Sequence, residues 1–167
     1  MSIQAKDSVW VNSDGLAVGF GTRAKTTTGG FRLSSNGATE KLFFRFVGTD
    51  LADAVAAADD QIVYGPVIPN GATILSSTLK VSTAFTSGGS ATLDIGLYDK
   101  DGAEVDANGL DAAVAVAALT LGAEIANDGA DVNTVVATSG GVKVGVSYDT
   151  AAFTAGEAVL EVEYMPA

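Results

Sequence analysis

The 167-residue chain contains neither cysteine nor histidine and carries 20 acidic against 9 basic residues, a net charge of −11. Without those two residue types there is no disulfide framework, no Cys- or His-ligated metal, and no side chain that ordinarily titrates near neutral pH, so most enzyme classes are poor candidates. Twenty glycines, abundant Ala, Thr, Ser and Val, and only 17% charged residues point to short strands and tight turns in one domain large enough to bury its own core.

Charge is unevenly distributed. Residues 1–41 hold five basic against three acidic residues, a net +2, whereas four basic and 17 acidic residues from position 42 onward give −13. The division this predicts is an extended N-terminal arm or hairpin over 1–41 and a β-sandwich body over 42–167. An acidic body repels nucleic acid, and a mildly basic arm is available to a partner; the plainer alternative is that the acids are a solvated surface. The start, Met1 to Asp7, lacks the apolar core of a secretory signal, and no stretch approaches the ~18 apolar residues of a membrane span. A soluble protein made in the cytoplasm, with no nucleic-acid or membrane partner, is the expectation.

In chain order, Ser8-Val9-Trp10-Val11 and Leu16-Ala17-Val18-Gly19-Phe20 flank an Asn12-Ser13-Asp14-Gly15 turn and read as a hairpin. Residues 24–41 are rich in Thr, Ser and Gly, lack sustained periodicity apart from Phe31-Arg32-Leu33, and read as a ribbon lying across something else. In Leu42-Phe43-Phe44-Arg45-Phe46-Val47 both parities are largely apolar, the pattern of a strand covered on both sides by a second sheet or another subunit. Asp50 to Asp59, with Leu51, Val55 and several Ala, has room for one or two helical turns.

The chain is organised around residues 62–98. An extended segment containing Pro66 and Pro69 runs through Asn70-Gly71-Ala72 into Ile74 to Phe85, where Leu75, Leu79 and Val81 share parity. After Ser87-Gly88-Gly89-Ser90, Ala91, Leu93, Ile95 and Leu97 alternate with Thr92, Asp94 and Tyr98, and the two stretches together read as a hairpin with one dry face. Tyr98 to Glu104 is another turn between strands, and Ala112 to Leu119, with Leu110, Val114 and Ala117 or Ala118 on one face, reads as the one real helix. Val132 to Ala137, Val142 to Tyr148 and Ala158 to Tyr164 are strands, the last with Leu160, Val162 and Tyr164 inward against Glu161 and Glu163. The fold class that follows is all-β: a jelly-roll-like β-sandwich with an extended N-terminal arm and one short helix.

Candidate chemistry is sparse. Gly19-Phe20-Gly21-Thr22-Arg23-Ala24-Lys25-Thr26 has the spacing of a phosphate loop, but Ala24 replaces the second Gly, and Thr27-Thr28-Gly29-Gly30 stands where a helix N-terminus must supply converging N–H groups. Asp99, Asp101, Glu104 and Asp106 supply oxygen ligands, but Gly102 comes too early for a helix-loop-helix calcium loop, which leaves a solvated acidic turn as the ordinary reading. Glu161 and Glu163, two apart on a terminal strand, make an exposed row and not a glycosidase pair. Trp10, Phe20, Phe31, Phe43, Phe44 and Phe46 have the makings of a stacking platform for a sugar or single-stranded nucleic acid, but the acidic body opposes the latter and a core or interface role fits better.

Several stretches carry a resemblance. Val9-Trp10-Val11-Asn12-Ser13-Asp14-Gly15-Leu16 with Gly19-Phe20-Gly21-Thr22, then Val67-Ile68-Pro69-Asn70-Gly71-Ala72, Thr83 to Leu93, Asn108 to Ala113 and Tyr148 to Gly156 resemble, in order and spacing, small virion structural proteins of tailed bacteriophages. The resemblance implies a capsid decoration (cement) protein on the surface of the assembled head, with the major capsid protein as partner, no catalytic residues and no cofactor. Such a protein assembles in the host cytoplasm, and a homotrimer suits the local symmetry axes of an icosahedral shell. Within that reading Trp10, Phe20, Arg23, Lys25 and Arg32 are the expected contacts with the capsid or a neighbouring subunit, and Phe43, on the two-sided strand, is a further one. The alternative is a receptor- or carbohydrate-binding virion module of tail or head.

Overall fold

The computed structural model describes residues 8–11, 17–20, 30–52 and 61–167. Eleven strands account for most of it: β1 (Ser8–Val11), β2 (Ala17–Phe20), β3 (Gly30–Ser35), β4 (Glu40–Val47), β5 (Gln61–Ile68), β6 (Thr73–Ser87), β7 (Thr92–Asp99), β8 (Glu104–Ala115), β9 (Glu124–Asn127), β10 (Val142–Asp149) and β11 (Phe153–Met165). A single-turn helix, α1 (Gly48–Ala52), follows β4, and a 3-10 turn (Val116–Ala118) follows β8.

Two antiparallel sheets form the body, in the orders β3-β4-β11-β6-β9 and β5-β10-β7-β8. From β4 onward every connection except β7 to β8 crosses from one sheet to the other, which is the double Greek key of a jelly roll. The expected sandwich is therefore present. The hairpin expected over 62–98 is not: β6 and β7 lie in different sheets, and Ser87 to Ser90 is the crossover between them. Two consecutive strands, each with one dry face, satisfy that pattern equally well by facing each other across a core.

The core is drawn from alternating positions. Leu42, Phe44 and Phe46 of β4, Leu160, Val162 and Tyr164 of β11, Leu93, Ile95 and Leu97 of β7, and Val142, Val144 and Val146 of β10 are all buried. At one end Phe46, Phe85, Phe153 and Tyr148 make a chain of ring contacts with centroids 5.9, 5.2 and 6.3 Å apart, each pair worth about 0.5–1.5 kcal/mol beyond its area. Gly156, at φ +132°, makes room for it, since a Cβ there would stand 2.3 Å from the Phe85 ring.

Three strand-level expectations need correction. Leu75 does not share the core face with Leu79 and Val81: between the pairs Ile74–Tyr164 and Ser76–Glu163 an extra residue on β6 shifts the register, and buried Ile74 and Ser77 take the inward positions. Tyr98, assigned to the wet side of β7, is fully buried. Residues 112–119 are not a helix but the end of bulged β8 and the 3-10 turn, with Ala115 opposite Thr92, Val114 opposite Leu93, and Ala113 at φ +53°. Ladder pairing with β7 outweighs alanine's helix propensity, which is a weak prior.

Elsewhere the segment 132–137 makes only one bridge, Val135 to Thr73, among turns, although its backbone exchanges hydrogen bonds with Ala72 and Ile74. The expected turns of helix near Asp50 reduce to α1, whose Leu51 is buried, and residues 53–60 lie outside the described part. The ribbon expected over 24–41 contains β3, paired with β4 along its whole length.

Candidate functional site

β1 and β2 form the expected hairpin, with Trp10 opposite Val18 and Phe20 opposite Ser8, so that Trp10, Val18 and Phe20 occupy positions of one parity. The hairpin is a two-stranded sheet of its own, joined to neither body sheet. Such a unit is marginal at best in water unless something packs on it. Arg23 and Lys25, and the phosphate-loop spacing around them, lie outside the described residues. Arg32 is on β3 directly opposite Phe43 of β4, so two expected contact residues share a rung of the larger sheet.

Phe43 is half-buried on the outer face of that sheet, in register with Glu161. Around it the central strand β11 supplies acids and its neighbours supply bases. Lys41 Nζ lies 2.8 Å from Glu161 Oε1 and 3.3 Å from Glu163 Oε2, Lys80 Nζ lies 2.8 Å from Glu161 Oε2, and Arg45 Nη2 lies 2.7 Å from Glu157 Oε2. The hydrogen bonds from Lys41 and then Lys80 hold the Glu161 carboxyl below the usual carboxylate range, and Glu161 in turn raises both lysines. Glu163 is lowered by the hydroxyl of Thr39, then by Lys41. At the strand end Tyr164, on the inner face, donates its phenol to Glu40 and is raised by burial and by that carboxylate. The Glu161–Glu163 row is thus an ion-paired ladder.

The acidic turn after β7 closes on itself. Asp99 Oδ1 accepts the backbone N–H groups of Ala103 and Asp101, both at 2.8 Å; these bonds, Ala103's foremost, lower its carboxyl, while Lys100 pairs with Asp101. Among the described residues no three carboxylates converge as metal ligands would. Nearby, Asp131 and Asp111 are raised by burial, with Asp106 adding to the first and Asp128 and Asp94 to the second. Nor is any helix among the described residues long and apolar enough to cross a membrane.

A solved structure shares this fold. The chain is similar to one in the capsid of Ralstonia phage GP4, with 21% identity and a TM-score of 0.51 over 80% of this chain and 89% of that one. It is also similar to a chain of the capsid asymmetric unit of cyanophage Pam1, with 16% identity and a TM-score of 0.49 over 93% and 97% of the two chains. No family model and no curated protein sequence matches.

One surface feature escapes the sequence. Val105, Val135 and Met165 are 45%, 58% and 48% exposed, and the fold brings them to one end of the sandwich. Val105 and Val135 line a depression of about 160 Å³ together with Leu97, Asp131 and Val142, and Val135 and Met165 are both paired with Thr73. Val135 falls in the stretch 132–137 that reads as a strand, where it adjoins Val136 and the sequence does not mark which of the two stays outside. Val105 stands alone between Glu104 and Asp106, a faint signal of an exposed apolar group.

Proposed function

We propose that this chain is a non-enzymatic structural protein of a tailed-phage virion, a decoration (cement) protein that binds the outside of the assembled head as a homotrimer and stabilises it. The observation that carries the reading is the jelly-roll body shared over most of its length with a chain of a phage capsid, joined to a hairpin that neither body sheet pairs with. A lone two-stranded hairpin is marginal in water and gains most by ordering on a partner, and the basic residues Arg23, Lys25 and Arg32 suit it to an acidic one. In this reading Trp10 and Phe20 anchor the arm on the major capsid protein or a neighbouring subunit, and Phe43 extends the contact onto the body. The body's role is to present the arm.

The test is co-sedimentation with undecorated heads, with the mass in solution measured by light scattering. The intact chain should pellet with heads and have the mass of a trimer, whereas a chain lacking residues 1–29 should fold and stay in the supernatant. Residues 30–35 are kept because β3 is paired with β4 throughout. Head binding by the truncated chain would refute the arm's role. An intact chain that ignores heads but binds a glycan would move the reading to a receptor- or carbohydrate-binding virion module.

A further inference from the structure

We propose that the apolar end formed by Val105, Val135 and Met165 is the seat for the β1–β2 hairpin of a second copy of this chain; the proposal rests on the arm reading above and names the arm's partner. These three side chains are large, apolar and exposed at one end of the body, and a depression opens between Val105 and Val135. Leu121 is the one other exposed large apolar side chain among the described residues, so three such side chains at one end are a concentration that a surface has little reason to keep in water.

Charge identifies the occupant. Val105 and Asp131, which line the depression, belong to the stretch from Asp99 to Asp131, which carries eight acidic residues and one basic residue, Lys100, itself paired with Asp101. Asp131 lines the depression, and Glu104 and Asp106 flank Val105. A matching partner is apolar with a basic margin. The hairpin supplies Trp10, Val18 and Phe20 at positions of one parity, and Arg23 and Lys25 follow it in sequence. The apolar half of the complement is thus on the hairpin, whose one charged residue is Asp14, and the basic half follows it in the same chain.

Geometry favours a neighbour's hairpin over the chain's own. Gly30, where β3 begins, is on the rung of Arg45 and Val159, and the Met165–Thr73–Val135 row is six residues further along β11 and four strand spacings across the sheet. That diagonal is about 28 Å at ~3.3 Å per residue and ~4.8 Å per strand. The nine residues between Phe20 and Gly30 reach about 30 Å only when fully extended, and the arm leaves β3 at the end away from the patch. A hairpin arriving from an adjacent copy needs no such stretching, and repeated head to tail the contact closes a ring.

The test uses the full chain, whose lack of cysteine makes Val135→Cys a single attachment point for a benzophenone photo-crosslinker. After irradiation in dilute solution without heads, denaturing gels should show covalent multimers. Digestion of these should link position 135 to peptides within residues 8–20, and deletion of residues 1–29 should abolish the band. Val105→Cys should give the same adduct. A probe at Leu121→Cys, 73% exposed, should not, because Leu121 is not part of the patch. Adducts confined to the monomer band, adducts to another segment, or a yield no higher than at Leu121 would each overturn the proposal. No heads take part, so this outcome is independent of whether the chain co-sediments with them.

Discussion

Glu161 shows how one residue can set the character of a face. Its two oxygens are taken by lysines from the strands on either side, and its side chain is only 16% exposed, so it ties β4, β11 and β6 together across the outer surface of the larger sheet. Lys41 and Lys80 are more open, at 39% and 44%, so solvent screens much of the attraction. Glu161→Gln keeps the shape, loses the charge, and should cost about 1 kcal/mol at pH 7. Because the folded carboxyl is lowered, its contribution is complete above the unfolded value near 4.3 and is lost as pH falls through the lower folded value. The lysines are raised, so their share persists through neutral pH and fades only as the solution passes their folded values. Melting temperatures of the two proteins should therefore differ at pH 7 and converge near pH 2. An undiminished gap at pH 2 would mean that Gln disturbs packing instead.

At the scale of elements, alternation in the sequence was a sound guide wherever a strand ran straight. Val142 to Tyr148 and Leu160 to Tyr164 show the expected parity, with Tyr148 only half-buried. It failed where the ladder is irregular. β8 shifts register against β7 between Leu93 and Ile95 and again on either side of Leu97, and the bulged stretch places Leu110 and Val114 inward at a spacing that a helix also produces. Sequence spacing does not distinguish a helical turn from a strand with an inserted residue. Ala113 separates the two by experiment. Its φ of +53° is a left-handed conformation in which Cβ costs energy, and it is exposed with its N–H donated to Asp94 Oδ1 at 2.7 Å. Ala113→Gly should thus stabilise by about 0.5 kcal/mol, where the same change inside a helix costs about 1 kcal/mol. Denaturant unfolding gives the sign directly. The candidate contacts were less legible than the strands, because a patch such as Val105, Val135 and Met165 is assembled from β8, a turn segment and β11, and no local pattern marks which apolar residues stay outside.

For the molecule as a whole, the imbalance between a −13 segment and a +2 segment makes two opposite demands on salt. Within the body, most acids lack a matching base: from residue 42 onward four basic residues face 17 acidic ones, and three of those four, Arg45, Lys80 and Lys100, are already in ion pairs. Self-repulsion therefore exceeds ladder attraction, and screening should favour the folded state. At the proposed seat between copies the sign reverses, since attraction between the arm's bases and an acidic end is weakened by salt. The chain lacking residues 1–29 isolates the first effect. Its melting temperature should rise by a few degrees between about 10 and 150 mM NaCl, as the screening length contracts from about 30 to 8 Å. Over the same range the intact chain should lose oligomeric mass at low micromolar concentration in light scattering. A truncated chain that melts lower in salt would place the ladder on β11 above net charge as the dominant electrostatic influence on folding. An oligomer indifferent to salt would assign the arm's affinity to Trp10 and Phe20 alone, since burial of apolar area, unlike a steered charge contact, survives screening.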